Sequence, residues 1–182
     1  MAIFISAGHN TKGIKSDPGA VANGVKEADL AIDIRNLTVA ELKKDKTLRV
    51  ITDNDDERLG EYLKRAETGS GSVVIEFHFD AATPTATGTT ILIGDDADRL
   101  DKAFAKEVVD KTAEVLKIKN RGVKAESTSH RGKLGLMREQ GTVALLEVCF
   151  ITNINDLRAY QDNKQILAIE LAKIIKRYES LI

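Results

Sequence analysis

Ala2-Ile3-Phe4-Ile5-Ser6-Ala7-Gly8-His9 decides how the rest of the chain is read. The apolar run is cut off by Gly8 and by the polar Asn10-Thr11-Lys12-Gly13, which predicts a short buried strand with a histidine just past its end. The arrangement recurs in Val73-Val74-Ile75-Glu76-Phe77, an apolar run with His78 at its end. Open parallel sheets bind ligands outside the carboxyl ends of their strands. Two of the three histidines in the sequence are therefore expected on one rim.

Further strands are expected at residues 48–52, 89–93 and 142–148, the last apolar enough to be central. After His9, the loop containing Asp17-Pro18-Gly19-Ala20 and Asn23-Gly24 reads as turns. A helix is expected to begin near Val25 or Lys26, with Glu27, Leu30, Ile34 and Leu37 on its inward stripe. Asp53-Asn54-Asp55-Asp56 reads as the cap of a second helix with stripe Leu59, Leu63 and Ala66, and does not match the calcium-binding EF-hand pattern. A long helix is expected at about residues 98–117, a basic exposed loop at 119–135, and two closing helices around 155–160 and 163–178. Strands alternating with helices predict an α/β fold of three layers, a mostly parallel twisted sheet with helices on both faces.

The 182 residues fit a single domain spanning 1–182. With 27 basic against 28 acidic residues the net charge is −1, so no strong field points to nucleic acid or an anionic membrane. Cys149 is the one cysteine, which rules out an internal disulfide. No apolar run approaches the roughly 20 residues that span a bilayer. The first residues lack a basic stretch followed by a long apolar one, so no secretory signal and synthesis in the cytoplasm are expected, although a domain cut from an exported protein would read the same. A monomer is expected.

Two histidines and a carboxylate, with a fourth position open to water, form a known catalytic zinc arrangement. His9, Glu27 and His78 are the candidates, drawn from two strand ends and a helix start. A first-turn glutamate also offsets the helix dipole, so Glu27 has a second reading. Glu147, inside Ala144-Leu145-Leu146-Glu147-Val148-Cys149-Phe150, is the most telling residue. A lone carboxylate in an apolar strand must be paired, protonated or beside a cation, unless it lies past the strand end and faces water. Beside a zinc site it would be a general base.

Taken with Asp17-Pro18-Gly19-Ala20, Arg121-Gly122-Val123-Lys124 and Leu146-Glu147-Val148-Cys149-Phe150-Ile151-Thr152-Asn153, these stretches resemble, in the same order, the catalytic domain of the zinc-dependent N-acetylmuramoyl-L-alanine amidases of the type 3 family. The resemblance implies Zn2+ held by His9, Glu27 and His78, with Glu147 as catalytic base. It further implies cleavage of peptidoglycan between the lactyl group of N-acetylmuramic acid and L-alanine of the muramyl peptide. No separate wall-binding domain is expected, and action on the cell wall follows phage-type release or export within a larger protein. Three positions depart from the family: serine is usual at Glu76, asparagine at Asp80 and glycine at Cys149. His130 reads as a solvated loop residue or a substrate contact. Cys149 reads as a buried inert thiol turned to the opposite face from Val148. A non-catalytic wall-binding module and a zinc peptidase acting on another peptide amide remain as alternatives.

Overall fold

The N-terminal apolar run forms β1 (Ala2–Ala7), with all six residues buried. The computed structural model describes residues 2–12, 16–129 and 132–181. A small hairpin of β2 (Val21–Ala22) and β3 (Val25–Lys26) leads into α1 (Glu27–Leu42). There follow β4 (Val50–Thr52), α2 (Leu59–Ala66), β5 (Ser72–Asp80), β6 (Thr89–Ile93), α3 (Arg99–Leu116), β7 (Asn120–Ala125), β8 (Thr142–Phe150) and α4 (Ile154–Glu179).

The main sheet has the order β4-β1-β5-β8-β6-β7. Strands β4, β1, β5 and β8 are parallel, β6 runs antiparallel to β8, and β7 is parallel to β6. The carboxyl ends of β1, β5 and β8 therefore share a rim with the amino end of β6. Alternation along each strand sends side chains to two separate cores. Ile3, Ile5, Ile75 and Leu146 pack under α1, α3 and α4 together with Ile34, Phe104 and Leu171. Phe4, Val74 and Leu145 pack on the other face against Tyr62 of α2 and Leu136 of the turn Gly135–Arg138. Each of these fully buried side chains contributes about 1.5–3 kcal/mol of transfer free energy. Central strands covered on both faces must be apolar throughout, which is why β1 and β8 read as continuous runs. The fold is thus the expected α/β class, mostly parallel and covered on both faces.

Four local expectations are corrected. The C-terminal region is one 26-residue helix, α4, because no glycine or proline interrupts it and Asn163 donates to the Ala159 carbonyl within the helix. Part of the presumed basic loop is the edge strand β7, whose half-buried Lys/Arg/Gly composition is what an exposed edge carries. The acidic run does not cap α2, whose first residue follows Arg58; instead Asp53 and Asp55 both accept hydrogen bonds from Arg35 of α1. Cys149 is buried as expected, but on the same face as Val148. Between His78↔Glu147 and Asp80↔Phe150 the register slips, so β8 spends one extra residue and the alternation breaks at Cys149.

Candidate metal centre

Past β1 the chain turns at Gly8 and His9, and His9 adopts a left-handed φ of 67°. A non-glycine residue there costs about 1–3 kcal/mol and persists only where its surroundings impose it. They do so here through Asn10 and Asp17, which exchange two backbone hydrogen bonds of 2.9 and 3.1 Å, and through Asp17 Oδ2, 2.9 Å from His9 Nδ1. At Gly8 any Cβ would lie 2.2–2.4 Å from three atoms of the His78 ring, so only glycine lets the ring lie against the backbone.

Glu27 is set by the turn before α1. The carbonyls of Ala20 and Pro18 accept from the N–H groups of Glu27 and Ala28, and Glu27 Oε2 accepts in return from Ala20 N at 2.9 Å. Gly19, at φ 63°, lies so close that a Cβ would be 2.6 Å from Glu27 Oε2 and from His9 Cδ2. The turn residues read from the sequence are thus the mould for the carboxylate.

His9, Glu27 and His78 come together. His78 Nδ1 lies 2.8 Å from Glu27 Oε1, which also accepts from Phe79 N at 3.2 Å. His9 Nε2 lies 3.2 Å from Glu27 Oε2, yet this buried nitrogen makes no hydrogen bond. The two rings meet edge to face with centroids 5.1 Å apart. One donor atom from each of the three residues falls within 4.8 Å of the others, a group that could hold a metal ion. Unlike the expected position past a strand end, His78 lies inside β5, because that strand runs on to Asp80.

Electrostatics point the same way. Burial opposes charge on Glu27, but the hydrogen bond with His78 and the His9 imidazole lying 3.2 Å away overcome it and hold the carboxyl well below its usual range. Burial likewise opposes a proton on His78, yet Glu27 and Glu76 lift the imidazole up to about 10. His9 is raised against its own burial, chiefly by Glu27 and then by Asp17. One carboxylate thus draws positive charge onto two rings. A divalent cation seated among the three would supply that charge in place of the protons, so the donor set fits a metal such as zinc.

Glu147 is 8% exposed, in the interior of β8, which excludes a side chain trailing past the strand end. Its register partners are His78 on β5 and Thr90 on β6, and its own carbonyl accepts from Thr89 Oγ1 at 2.9 Å. Glu147 lines a groove of about 470 Å³ with His9, Glu27, Thr90, Arg121 and Lys124. His130 lies outside the described residues. The sequence does not reveal the contact of Asp17, which reads only as a turn residue, with His9, nor that of Glu76 with His78. Arg35, 4% exposed, pairs with Asp53 and so braces the end of β1 through the Ala7 N–H; no local signal in the sequence announces that pairing.

Residues 3–177 match the N-acetylmuramoyl-L-alanine amidase family. The uncharacterized protein YqiI of Bacillus subtilis is 27% identical over 157 residues, 85% of this chain and 72% of that protein. The catalytic domain of CwlV, an N-acetylmuramoyl-L-alanine amidase from Bacillus (Paenibacillus) polymyxa var. colistinus, superposes with a TM-score of 0.79 at 21% identity and covers both chains completely. A structure described as a candidate amidase of the same kind, from Neisseria meningitidis, has a TM-score of 0.76 at 29% identity, over 97% of this chain and 94% of its own. With nearly its whole length matched, and with a His/Glu/His group on the rim of the expected sheet, the chain belongs to the N-acetylmuramoyl-L-alanine amidase family.

Proposed function

We propose that His9, Glu27 and His78 hold a zinc ion and that Glu147 is the general base for hydrolysis of the amide joining the lactyl group of N-acetylmuramic acid to L-alanine. The enzyme class, a peptidoglycan amidase, follows from the family. The assignment of roles rests on one observation above the others: His78 and Glu147 are register partners on adjacent strands, so a second carboxylate stands beside the His/Glu/His group on the same face.

Zinc bound there would act as a Lewis acid toward the amide carbonyl and bring the pKa of water to about 7. Glu147 takes the proton from the attacking water and returns it to the departing amine of L-alanine. Asp17 holds His9 by Nδ1 and leaves Nε2 for the metal. Arg121 and Lys124 line the groove beside Glu147 and offer positive charge to a peptide that carries carboxylates. Muramyl peptide of the cell wall is the partner, and the protein acts as a monomer. No helix among the described residues is long and apolar enough to cross a membrane.

The test is digestion of purified walls followed by labelling of new amino termini. Alanine is the expected terminus, lost on chelation and restored by zinc. Glu147→Gln should keep the metal and lose at least about 100-fold in rate, the usual size of a general-base effect. A different freed terminus, or near-full activity of Glu147→Gln, would contradict the assignment.

A further inference from the structure

A third carboxylate, after Glu27 and Glu147, reaches the His/Glu/His group from within β5. Side chains two apart on a strand share a face, and Glu76, 3% exposed, brings Oε1 to 3.0 Å from His78 Nε2. Its Oε2 accepts from Ser6 Oγ at 2.9 Å, and Ser6 is its register partner on β1. The His78 ring is thus met at Nδ1 by Glu27, at Nε2 by Glu76, and along its side by Gly8. Where the resembling family usually has serine, this chain has a tethered anion.

We infer that Glu76 is a positioning residue: by accepting the Nε2–H of His78 it fixes the tautomer in which Nδ1 presents its lone pair to the metal beside Glu27 and His9. The inference rests on the metal reading above. A neutral imidazole carries one proton, and Nδ1 and Nε2 each face a carboxylate. If Glu27 and the nitrogen beside it, Nδ1, both face the cation, the ring proton belongs on the far nitrogen, Nε2, and needs an acceptor there. Glu76 is that acceptor. Its Oε2 is occupied by Ser6, its Oε1 points at Nε2, and the strand backbone sets the spacing. A charged acceptor also makes the imidazole a stronger donor to the metal, and removing such a partner typically weakens binding 10–100-fold. A serine hydroxyl, shorter and neutral, would do this less well. The buried Glu76 carboxylate, otherwise costly, is in turn compensated through the ring by the cation.

Zinc affinity, measured by competition with a chromophoric chelator, tests the role without reference to turnover. Glu76→Ala should bind zinc about 10–100-fold more weakly, and Glu76→Gln, which keeps an acceptor oxygen of the same reach, should recover most of that loss. Long-range 1H–15N spectra of the zinc-loaded wild type should show His78 protonated at Nε2 and metal-shifted at Nδ1. Wild type that binds zinc, with Glu76→Ala binding equally well or with the shift at Nε2, would overturn the role of Glu76 and leave the metal site standing. Wild type that fails to bind zinc at all would overturn both. Should Glu76→Ala fail to fold, the wild-type spectrum and Glu76→Gln still decide.

Discussion

At the scale of single residues, the glycines are as informative as the three clustered side chains. Gly8→Ala must push the His78 ring away, since the new methyl would lie 2.2–2.4 Å from it. The expected result is a protein that folds but binds zinc at least about tenfold more weakly, the size of effect seen when ligand orientation is lost; unchanged affinity in a chelator titration would show that the ring has room to spare. The three side chains that the fold brings together, His9, Glu27 and His78, and the proposed base Glu147 could each be singled out in the sequence, because each broke a local rule: an imidazole after an apolar run, a carboxylate on an inward stripe, a carboxylate inside a central strand. Asp17 and the contact between Glu76 and His78 were not legible. Asp17 obeys its local rule as a turn residue, and a strand glutamate gives no hint of which neighbour it meets until the register with Ser6 is known.

At the scale of elements, α1 carries Glu27 at one end and Arg35 two turns later. Arg35 binds Asp53 at 2.8 Å and Asp55 at 2.6 Å, and Asp53 accepts from Ala7 N at the end of β1. Arg35→Leu leaves the Asp53 carboxylate buried without its cation and should cost about 3–5 kcal/mol, read as a lower denaturant midpoint. An unchanged midpoint would mean that water takes over the role of the guanidinium. The strands with apolar cores on both faces were read correctly, since burial leaves a plain signature. The edge strand β7 and the unbroken α4 were not. An edge strand is polar by necessity, and Gln161-Asp162-Asn163-Lys164 looks like a loop although nothing in it stops a helix.

At the scale of the whole molecule, the proposed zinc site would link metal and stability, because a ligand that binds only the folded state stabilises it. Zinc at about 1,000 times its dissociation constant adds roughly 4 kcal/mol. For a chain of this length that corresponds to a fall of about 8–16 °C in Tm on chelation. The metal-free protein should also be sensitive to alkali. His78 is raised to about 10 in the fold, chiefly by Glu27 and Glu76 against its burial, so its contribution is complete below its ordinary value near 6.5. That contribution is lost as pH rises through about 10. Glu27 is shifted the opposite way, so its contribution is present at neutral pH and is lost in strong acid. Urea melts of the chelated protein should therefore show stability falling between about pH 7 and 10, and a flat profile would contradict the pairing of His78 with two carboxylates.

Anomalous diffraction from a crystal of the zinc-loaded protein, collected on either side of the zinc edge, bears most directly on the centre. The account predicts one strong peak within bonding distance of His9 Nε2, a Glu27 oxygen and His78 Nδ1, with Glu147 facing it across the groove. A peak elsewhere, or none at these three side chains, would contradict it.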